Sequence, residues 1–216
     1  MPAPSERAAG VGDLEWQMRN WYNFTWLSGD GYVEQACHSV DKVGWAVKDQ
    51  SPLKVVAVGG RQTPNNQGNI YDHMFVVYQF PDEVRAFVGQ RHIAHTYSEN
   101  SDYLMGASGF AEIQGPGPII KGKENWRYRG PRTDMYQNEH NELFASIRSG
   151  KPINDGEWMA HSTLMGIMGR MAAYTGQEIT WEQAMNSQEK IVPEELDWKM
   201  KLDCPPMAVP GVTKFV

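Results

Sequence analysis

The chain has 216 residues, of which 41% are hydrophobic, and a formal net charge of −6 from 26 acidic residues against 20 lysines and arginines. This length and composition suit one globular domain with a sizeable core. The negative net charge argues against binding of nucleic acid, because contact with phosphates needs a basic patch and the sequence shows none. No stretch approaches the roughly 20 apolar residues of a membrane-spanning helix, so we predict no membrane span.

The first twelve residues differ in composition from the rest of the chain. Residues 1–12 are rich in small residues, proline and glycine, which predicts a disordered lead or the remnant of an upstream linker. Residues 13–216 are predicted to form a single domain. No apolar stretch follows the N-terminal residues, so they do not resemble a signal peptide. We therefore expect a cytoplasmic protein, or a periplasmic one if a longer parent carries a signal.

Residues 14–27 are rich in aromatic side chains. Aromatic residues mainly fill cores and interfaces, so core packing or a dimer contact is predicted for most of them. Trp21 is the exception that we assign to a ligand, because a bound ring can stack on an exposed aromatic face.

An amphipathic helix is predicted to begin near Asp30, a residue type favoured at the N-cap. Apolar residues then recur at helical spacing and predict one narrow buried stripe, formed by Val33, Cys37, Val40, Gly44 and Val47. A second face, about 100° away, carries Glu34, His38 and Asp41. A carboxylate beside a histidine raises the pKa of the imidazole and orients its ring, which makes a general acid or base. A salt-bridged helix flank gives the same spacing, and both interpretations stay open at this point.

The middle of the chain predicts strands without helices between them, which favours an antiparallel or mixed sheet. Large apolar residues occur in both phases of the alternation between residues 70 and 92, which suits a sheet covered on both faces. The predicted strands are residues 52–62, a hairpin of 70–80 and 84–92, two short strands about a turn at 106–109, and candidates at 118–120 and 126–128.

Arg91 and His92 stand at the end of one of these strands. His92 and His95 are three residues apart, but no cysteine or carboxylate pattern at zinc spacing accompanies them, so no metal site is predicted. If this strand faces Glu34 and His38, Arg91 or His92 can hydrogen-bond a hydroxyl group of a ligand. An exposed strand end is the alternative.

Helices return in the last third of the chain. Residues 133–149 predict a helix that Gly150 ends, and His140, on its apolar stripe, is expected in the core. A capping box predicts the start of the next helix, which runs to about residue 175 and is apolar on nearly all sides, hence buried. A second capping box, Thr180 with Gln183, predicts a short helix. His161 either points to the site or caps a neighbour.

The helix from Asp30 and the segment before it resemble the start of the C-terminal domain of the Gfo/Idh/MocA oxidoreductases. The family's pattern is a Trp-containing approach, a Gly-rich turn and Asp-x-x-x-His-x-x-Asp. In this chain residues 19–21 (Arg-Asn-Trp) and 28–31 (Ser-Gly-Asp-Gly) precede Glu34-x-x-x-His38-x-x-Asp41, so glutamate replaces the family's aspartate. Segments similar to the bacterial, sugar-directed branch follow at residues 56–62, 136–144, 146–152, 162–163, 169–176 and 179–181.

The resemblance implies an α+β fold in which an open, predominantly antiparallel sheet carries helices on one face. The other face is expected to pack against a second subunit, which gives a homodimer or homotetramer. His38 would take the proton from a sugar hydroxyl as hydride leaves the same carbon for the nicotinamide, and Glu34 would position His38. The expected substrate-binding residues are Arg19, Trp21, Asp41, Arg91 and His92.

Two parts of the family pattern are missing from the sequence. No G-x-G-x-x-G follows a strand and opens a helix, and no Glu-Lys-Pro segment supplies the lysine that assists hydride transfer in the family. We therefore expect this chain to bind no cofactor, to be inactive alone, and to be the substrate-binding and oligomerisation half of an NAD(P)-dependent sugar oxidoreductase. Its partners would be a small sugar and the missing Rossmann domain. The alternatives are a stand-alone carbohydrate-binding or oligomerisation module without redox activity, and part of an NAD-dependent glycosidase or lyase.

Overall fold

The computed structural model describes residues 4–63, 67–113, 117–131 and 133–216. The contacts divide the chain into two compact units. The first unit comprises Met1–Thr96 and Ala160–Val216, and the second comprises Tyr97–Met159. That residues 13–216 form a single domain stays a prediction.

The described residues contain both helices and antiparallel strands, so the predicted α+β class is confirmed. The helices are α1 (Asp13–Arg19), α2 (Thr25–Ser28), α3 (Gly31–Glu34), α4 (Cys37–Ala46), α5 (Met135–Ser149), α6 (Gly156–Thr175) and α7 (Trp181–Met185). The strands are β1 (Lys54–Gly60), β2 (His73–Gln79), β3 (Arg85–Arg91), β4 (Asp102–Gly106), β5 (Gly109–Ile113), β6 (Ile119–Gly122), β7 (Trp126–Arg127) and β8 (Ile179–Thr180). Two short 3₁₀ helices are Trp21–Asn23 and Pro81–Glu83.

The first unit contains a four-stranded antiparallel sheet with the order β3-β2-β1-β8. The predicted β2–β3 hairpin is confirmed, and Pro81–Glu83 turns the chain between its strands. The strand β8 was not predicted. It has only two residues and adds to the edge of β1, where Lys54 pairs with Thr180.

One face of this sheet, the inner face, is buried against α3, α4 and α6. Its buried side chains include Met74, Val76 and Tyr78. The Tyr78 hydroxyl donates to the carbonyl of Met165 in α6 at 2.8 Å, which fixes the helix over the sheet. The buried methionines Met165, Met168 and Met171 confirm that the second half of α6 fills the core, whereas residues 156–160, with Met159, are exposed.

The opposite face of the same sheet, the outer face, is apolar and exposed within this chain. Val56, Val58, Phe75 and Phe87 are between 44% and 68% exposed. The Phe75 and Phe87 rings lie 6.4 Å apart on neighbouring strands. The second cover that the sequence predicts for this sheet is therefore not supplied by the described part of this chain.

The helix predicted from Asp30 to residue 47 is interrupted. It forms as α3 and α4, which are separated by Gln35 and Ala36. The buried stripe differs from the predicted one, because Tyr32 and not Val33 lies in the core. The Tyr32 hydroxyl is hydrogen-bonded there to the Tyr78 hydroxyl at 3.1 Å. The other buried apolar residues of this segment are Ala36 and Val40.

Part of the predicted N-terminal lead packs against α1. The backbone N–H of Ser5 donates to Asn20 Oδ1 at 2.8 Å, and the Trp16 indole donates to the carbonyl of Ser5 at 3.1 Å. Residues 1–3 of this lead lie outside the described residues.

The second unit contains the sheet β4-β5-β6-β7, again antiparallel, and helix α5. The predicted hairpin about residues 106–109 is confirmed. Asp134 caps α5 by accepting from two backbone N–H groups, and Gly150 ends it with a φ of 67°. The expectation that His140 lies in the core is wrong. Its ring is exposed, and Nδ1 bonds to the carbonyl of Tyr136, one turn earlier in the same helix, at 2.7 Å.

None of the helices in the described ranges is long and apolar enough to cross a membrane.

Candidate functional site

A group of polar side chains meets at the end of the inner face of the first sheet. The Tyr22 hydroxyl lies 2.5 Å from Nδ1 of His92. A Cβ atom on Gly31 would lie 2.5 Å from that hydroxyl and 3.3 Å from Nε2 of Gln90, so α3 begins in direct contact with both side chains. We call these four residues, together with Glu34 at the end of α3, the Tyr22 cluster.

The elements of the first unit place each member of this cluster. Tyr22 belongs to the 3₁₀ turn that joins α1 to α2. Gln90 is near the end of β3, where the alternation of the strand puts its side chain on the same face as buried Val88. His92 follows that strand directly, and its backbone N–H donates to the carbonyl of Asp72 at 2.8 Å. Gly31 has no side chain, which lets the helix approach the Tyr22 hydroxyl.

Burial sets the charge states inside the cluster. It raises the pKa of Tyr22 well above the ordinary tyrosine value, and the negative charges of Glu34 and Asp30 add to the effect. Burial lowers the pKa of His92 below its ordinary value. At neutral pH the cluster therefore holds a protonated phenol beside an uncharged imidazole.

One atom of the cluster has an unused hydrogen-bonding capacity. Oε1 of Gln90 is buried and has no hydrogen-bond partner among the described residues. A buried acceptor without a donor is costly, so this oxygen is suited to accept a hydrogen bond from a ligand hydroxyl or from water.

Asp30 holds the turn that brings α3 to the cluster. It is fully buried. Its Oδ1 accepts from the backbone N–H of Tyr32 at 3.1 Å. Its Oδ2 accepts from the backbone N–H of Tyr71 at 2.8 Å and from the Tyr174 hydroxyl at 2.5 Å. Burial raises the pKa of this carboxyl, although the three donors partly offset the rise. The sequence indicated an N-cap here, which is confirmed, but the burial and the tyrosine partners were missed.

The structure places the two predicted catalytic residues on different helices. Glu34 is half-buried at the end of α3, where its charge acts on Tyr22. His38 is exposed in the first turn of α4. Within the described ranges, the His38 side chain makes no hydrogen bond or ion pair with Glu34 or with half-buried Asp41. The interruption between α3 and α4 therefore leaves the predicted Glu34–His38 pair unformed in this structure.

Two predicted binding residues lie on the segment before the cluster. Trp21 is 43% exposed and packs edge-on against Tyr22, with ring centroids 5.7 Å apart, so it forms part of the rim of the cluster. Arg19 is exposed on α1 and pairs with Glu15 of the same helix at 2.5 Å.

Two further predicted binding residues, Arg91 and His92, lie on opposite faces of the sheet at the end of β3. His92 belongs to the Tyr22 cluster, whereas exposed Arg91 pairs in register with His73 on β2 and shares the outer face with it. The imidazole of His73 bonds through Nδ1 to the buried carboxylate of Asp72 at 2.8 Å. His73 and Asp72 were not predicted as site residues from the sequence.

His161, for which two roles were open, contacts residues outside the Tyr22 cluster. Its Nε2 lies 3.0 Å from the Ser51 hydroxyl, and its ring packs 4.9 Å from the ring of Trp181. Over the described ranges, no group of three or more histidine, cysteine, aspartate or glutamate side chains could hold a metal ion.

The described residues do not fit a nicotinamide dinucleotide. Such a cofactor is held by a Gly-rich turn between a parallel strand and a helix. Both sheets here are antiparallel, and the turn at 106–109 joins two hairpin strands.

Comparison with solved structures shows a shared fold. An aldose–aldose oxidoreductase from Caulobacter crescentus, complexed with glycerol, matches at 16% identity with a TM-score of 0.60, over 74% of this chain and 50% of that chain. An oxidoreductase from Thermotoga maritima matches at 14% identity with a TM-score of 0.60, over 76% and 48%. A levoglucosan dehydrogenase, complexed with NADH and levoglucosan, matches at 13% identity with a TM-score of 0.59, over 74% and 53%.

At these identities the likeness shows the fold alone. The chain spans about half the length of the solved structures that it matches. Neither a protein-family model nor a curated protein sequence matches it.

Proposed function

We propose that this chain is the substrate-binding and oligomerisation domain of an NAD(P)-dependent oxidoreductase that acts on a sugar or a sugar derivative. The observation that carries the proposal is the position of the Tyr22 cluster. It lies at the first turn of the Glu34-x-x-x-His38-x-x-Asp41 segment, on a fold shared with an aldose–aldose oxidoreductase and a levoglucosan dehydrogenase.

The chemistry of the cluster suits a ligand rich in hydroxyl groups. Each sugar hydroxyl can donate one hydrogen bond and accept others. Gln90 offers a buried acceptor without a partner among the described residues, and Glu34 offers a carboxylate. Trp21 at the rim offers an aromatic surface against which a sugar ring can stack. Pockets for small ligands combine an apolar wall with a few such polar groups.

Dehydrogenation of an alcohol removes a hydroxyl proton and a hydride from its carbon. We assign the proton to His38, an exposed imidazole four residues after Glu34, in the first turn of α4. Glu34 is proposed to orient the substrate from the cluster, and Asp41, Arg19 and Arg91 are proposed contacts at its periphery. The hydride acceptor belongs to a Rossmann half that completes the enzyme.

A second subunit is the proposed cover of the outer face of the first sheet. Its exposed apolar residues form two adjacent rows across the strands, since Val56 is in register with Val77 and Phe87, and Val58 is in register with Phe75. An apolar sheet face of this kind marks a protein interface, and we propose a homodimer or homotetramer formed through it.

Calorimetric titration tests the proposed function. The purified chain is titrated with a panel of sugars and sugar acids, and separately with NAD and with NADP. We expect weak binding of at least one sugar, lost in His38→Ala and in Gln90→Ala and retained in His140→Ala, the control on exposed α5. Binding of NAD or NADP at micromolar affinity would contradict the proposal, and so would a failure of every sugar to bind.

A further inference from the structure

We propose that the Tyr22 cluster selects a sugar without an anionic group, neutral or amino, over a sugar acid or a sugar phosphate, and that Glu34 sets this preference. The inference rests on the proposed function, because it names the class of sugar that the same site accepts. Its physical basis is that the cluster presents hydrogen-bond acceptors and a negative charge to the ligand.

The first step is the placement of Glu34 beside the other members of the cluster. Gly31 and Glu34 are three residues apart in α3 and therefore share one face of the helix. A Cβ atom on Gly31 would lie 2.5 Å from the Tyr22 hydroxyl and 3.3 Å from Nε2 of Gln90, so this face is turned toward both. Side chains of a helix lean toward its N-terminus, and Glu34 thus reaches back toward the same two groups.

The second step is the charge that Glu34 brings. After burial, the negative charge of Glu34 is the largest cause that raises the pKa of Tyr22, ahead of the charge of Asp30. Glu34 is half-buried, and within the described ranges its carboxylate makes no hydrogen bond or ion pair. A half-buried carboxylate of this kind is suited to accept hydrogen bonds from a ligand.

The cations of the neighbouring elements are placed away from this face. Arg19 lies on exposed α1 and pairs with Glu15 at 2.5 Å. Arg91 lies on the outer face of the first sheet. Lys42 is the nearest cation to Glu34 along the chain, and it stands in the second turn of α4, beyond the interruption. The charge of the cluster on the side of α3 is therefore negative.

The third step is the hydrogen-bonding character of the cluster. Oε1 of Gln90 is buried without a partner among the described residues, and this carbonyl oxygen, like the carboxylate of Glu34, can only accept. Hydroxyl and ammonium groups donate to both acceptors. The carboxylate of a sugar acid or the phosphate of a sugar phosphate would instead be desolvated beside Glu34, and the like charges repel.

Two nitroxide probes of the same size, one cationic and one anionic, test the charge without any sugar. Each probe accelerates the relaxation of the protein protons that it approaches, and the ratio of the two effects reports the local electrostatic potential. We measure this ratio at the indole N–H of Trp21, on the rim, and at the side-chain amide of Gln90. In Glu34→Gln the ratio of cationic to anionic effect should fall by about twofold.

Glu139→Gln is the matched control, because it changes the net charge by the same amount on exposed α5. It should leave both ratios unchanged. A ratio at Trp21 that Glu34→Gln does not lower, or that Glu139→Gln lowers equally, would overturn the role of Glu34.

Matched sugars then test the selection itself. For a neutral sugar that binds in the calorimetric panel, the corresponding uronic acid should bind about tenfold more weakly, and the amino sugar at least as tightly. Glu34→Gln should narrow the gap between the neutral sugar and the uronic acid. Equal or tighter binding of the uronic acid to the wild type would overturn the proposal and leave the proposed function standing. If no sugar binds, the selection falls with the proposed function, whereas the probe ratios still decide whether Glu34 sets the charge of the cluster.

Discussion

The Tyr174 hydroxyl donates to the buried carboxylate of Asp30 at 2.5 Å and so joins the last turn of α6 to the turn before α3. The two residues are 144 positions apart. Asp30 itself has a φ of 87° and follows Gly29, which has a φ of 73°. The hydrogen bonds of its side chain hold this left-handed turn in place, and the turn delivers Gly31 to the Tyr22 hydroxyl.

Tyr174→Phe should destabilise the protein by about 1–3 kcal/mol, because it removes a donor from a buried charge-bearing group. Urea unfolding at neutral pH measures the change. Tyr136→Phe is the control, since Tyr136 is exposed on α5 and its substitution should change the free energy of unfolding by less than about 0.5 kcal/mol. Equal effects of the two variants would show that the Asp30–Tyr174 bond contributes nothing specific.

Asp30 and Asp72 should give opposite pH dependences of stability. The pKa of Asp30 is raised, mainly by burial. The folded protein therefore keeps the carboxyl proton of Asp30 to a higher pH than the unfolded chain does. The stability gained from this proton is present below the unfolded pKa and is lost as pH rises through the folded pKa. The stability of the wild type relative to Asp30→Asn should fall as pH rises from about 4.

For Asp72, burial by itself raises the pKa, but hydrogen bonds from His73, Thr63 and Gln62 outweigh it and lower the pKa below the ordinary value. Its contribution is present above the unfolded pKa and is lost as pH falls through the folded one. The stability of the wild type relative to Asp72→Asn should therefore shrink as pH falls below about 4. Urea unfolding across pH 3–7 measures both variants together, and slopes of the same sign would refute the assignment.

The main elements of the fold could be predicted from the sequence where the pattern is local and long. The β2–β3 hairpin follows from period-two alternation on both sides of Pro81–Glu83, and the start of α7 follows from the capping box of Thr180 and Gln183, which is present. The strand β8 could not be predicted, because two residues carry no periodicity. The interruption of the predicted helix after Glu34 also had no local signal. In the core, the Tyr32 hydroxyl bonds to Tyr78, which is distant in the sequence, so a pattern of neighbouring residues does not reveal this contact.

The candidate site was predicted only in part, for a related reason. Glu34, Trp21 and His92 were chosen, and each lies in or beside the Tyr22 cluster. Tyr22 and Gln90 were missed, because an isolated tyrosine or glutamine has no motif and the Tyr22–His92 contact spans 70 residues of sequence. A buried aspartate with a positive φ, such as Asp30, equally looks like an ordinary N-cap until the tertiary partners are known.

Gly31→Ala should damage the Tyr22 cluster. The new Cβ would lie 2.5 Å from the Tyr22 hydroxyl and 3.3 Å from the ring carbon that carries it, and the ring cannot yield without breaking its bond to His92. Overpacking of this kind costs about 1–3 kcal/mol. We also expect the His92 side-chain NMR signals to shift.

Gly44→Ala is the matched control for Gly31→Ala. Gly44 lies inside α4, and the nearest side-chain or distant atom to its new Cβ would be 3.6 Å away, which is ordinary contact. Replacement of a helix-interior glycine by alanine should stabilise the protein by about 0.5–1 kcal/mol. Thermal unfolding of the two variants measures the contrast. If both variants behave alike, the close approach of α3 to Tyr22 is not a constraint on the site.

Phe87→Asp should weaken self-association if the outer face of the first sheet is an interface between subunits. Phe87 is 62% exposed and sits beside Val77 and Val56 in one cross-strand row, so a carboxylate there would be buried without a partner in a dimer and solvated in a monomer. We expect light scattering to show a dimer or tetramer for the wild type and a shift toward monomer, by at least tenfold in the dissociation constant, for the variant. Val212→Asp, at an apolar residue of the C-terminal segment that is also mostly exposed, should leave the oligomeric state unchanged. A wild-type chain that stays monomeric at all concentrations would remove the proposed interface, and with it the oligomerisation role of this domain.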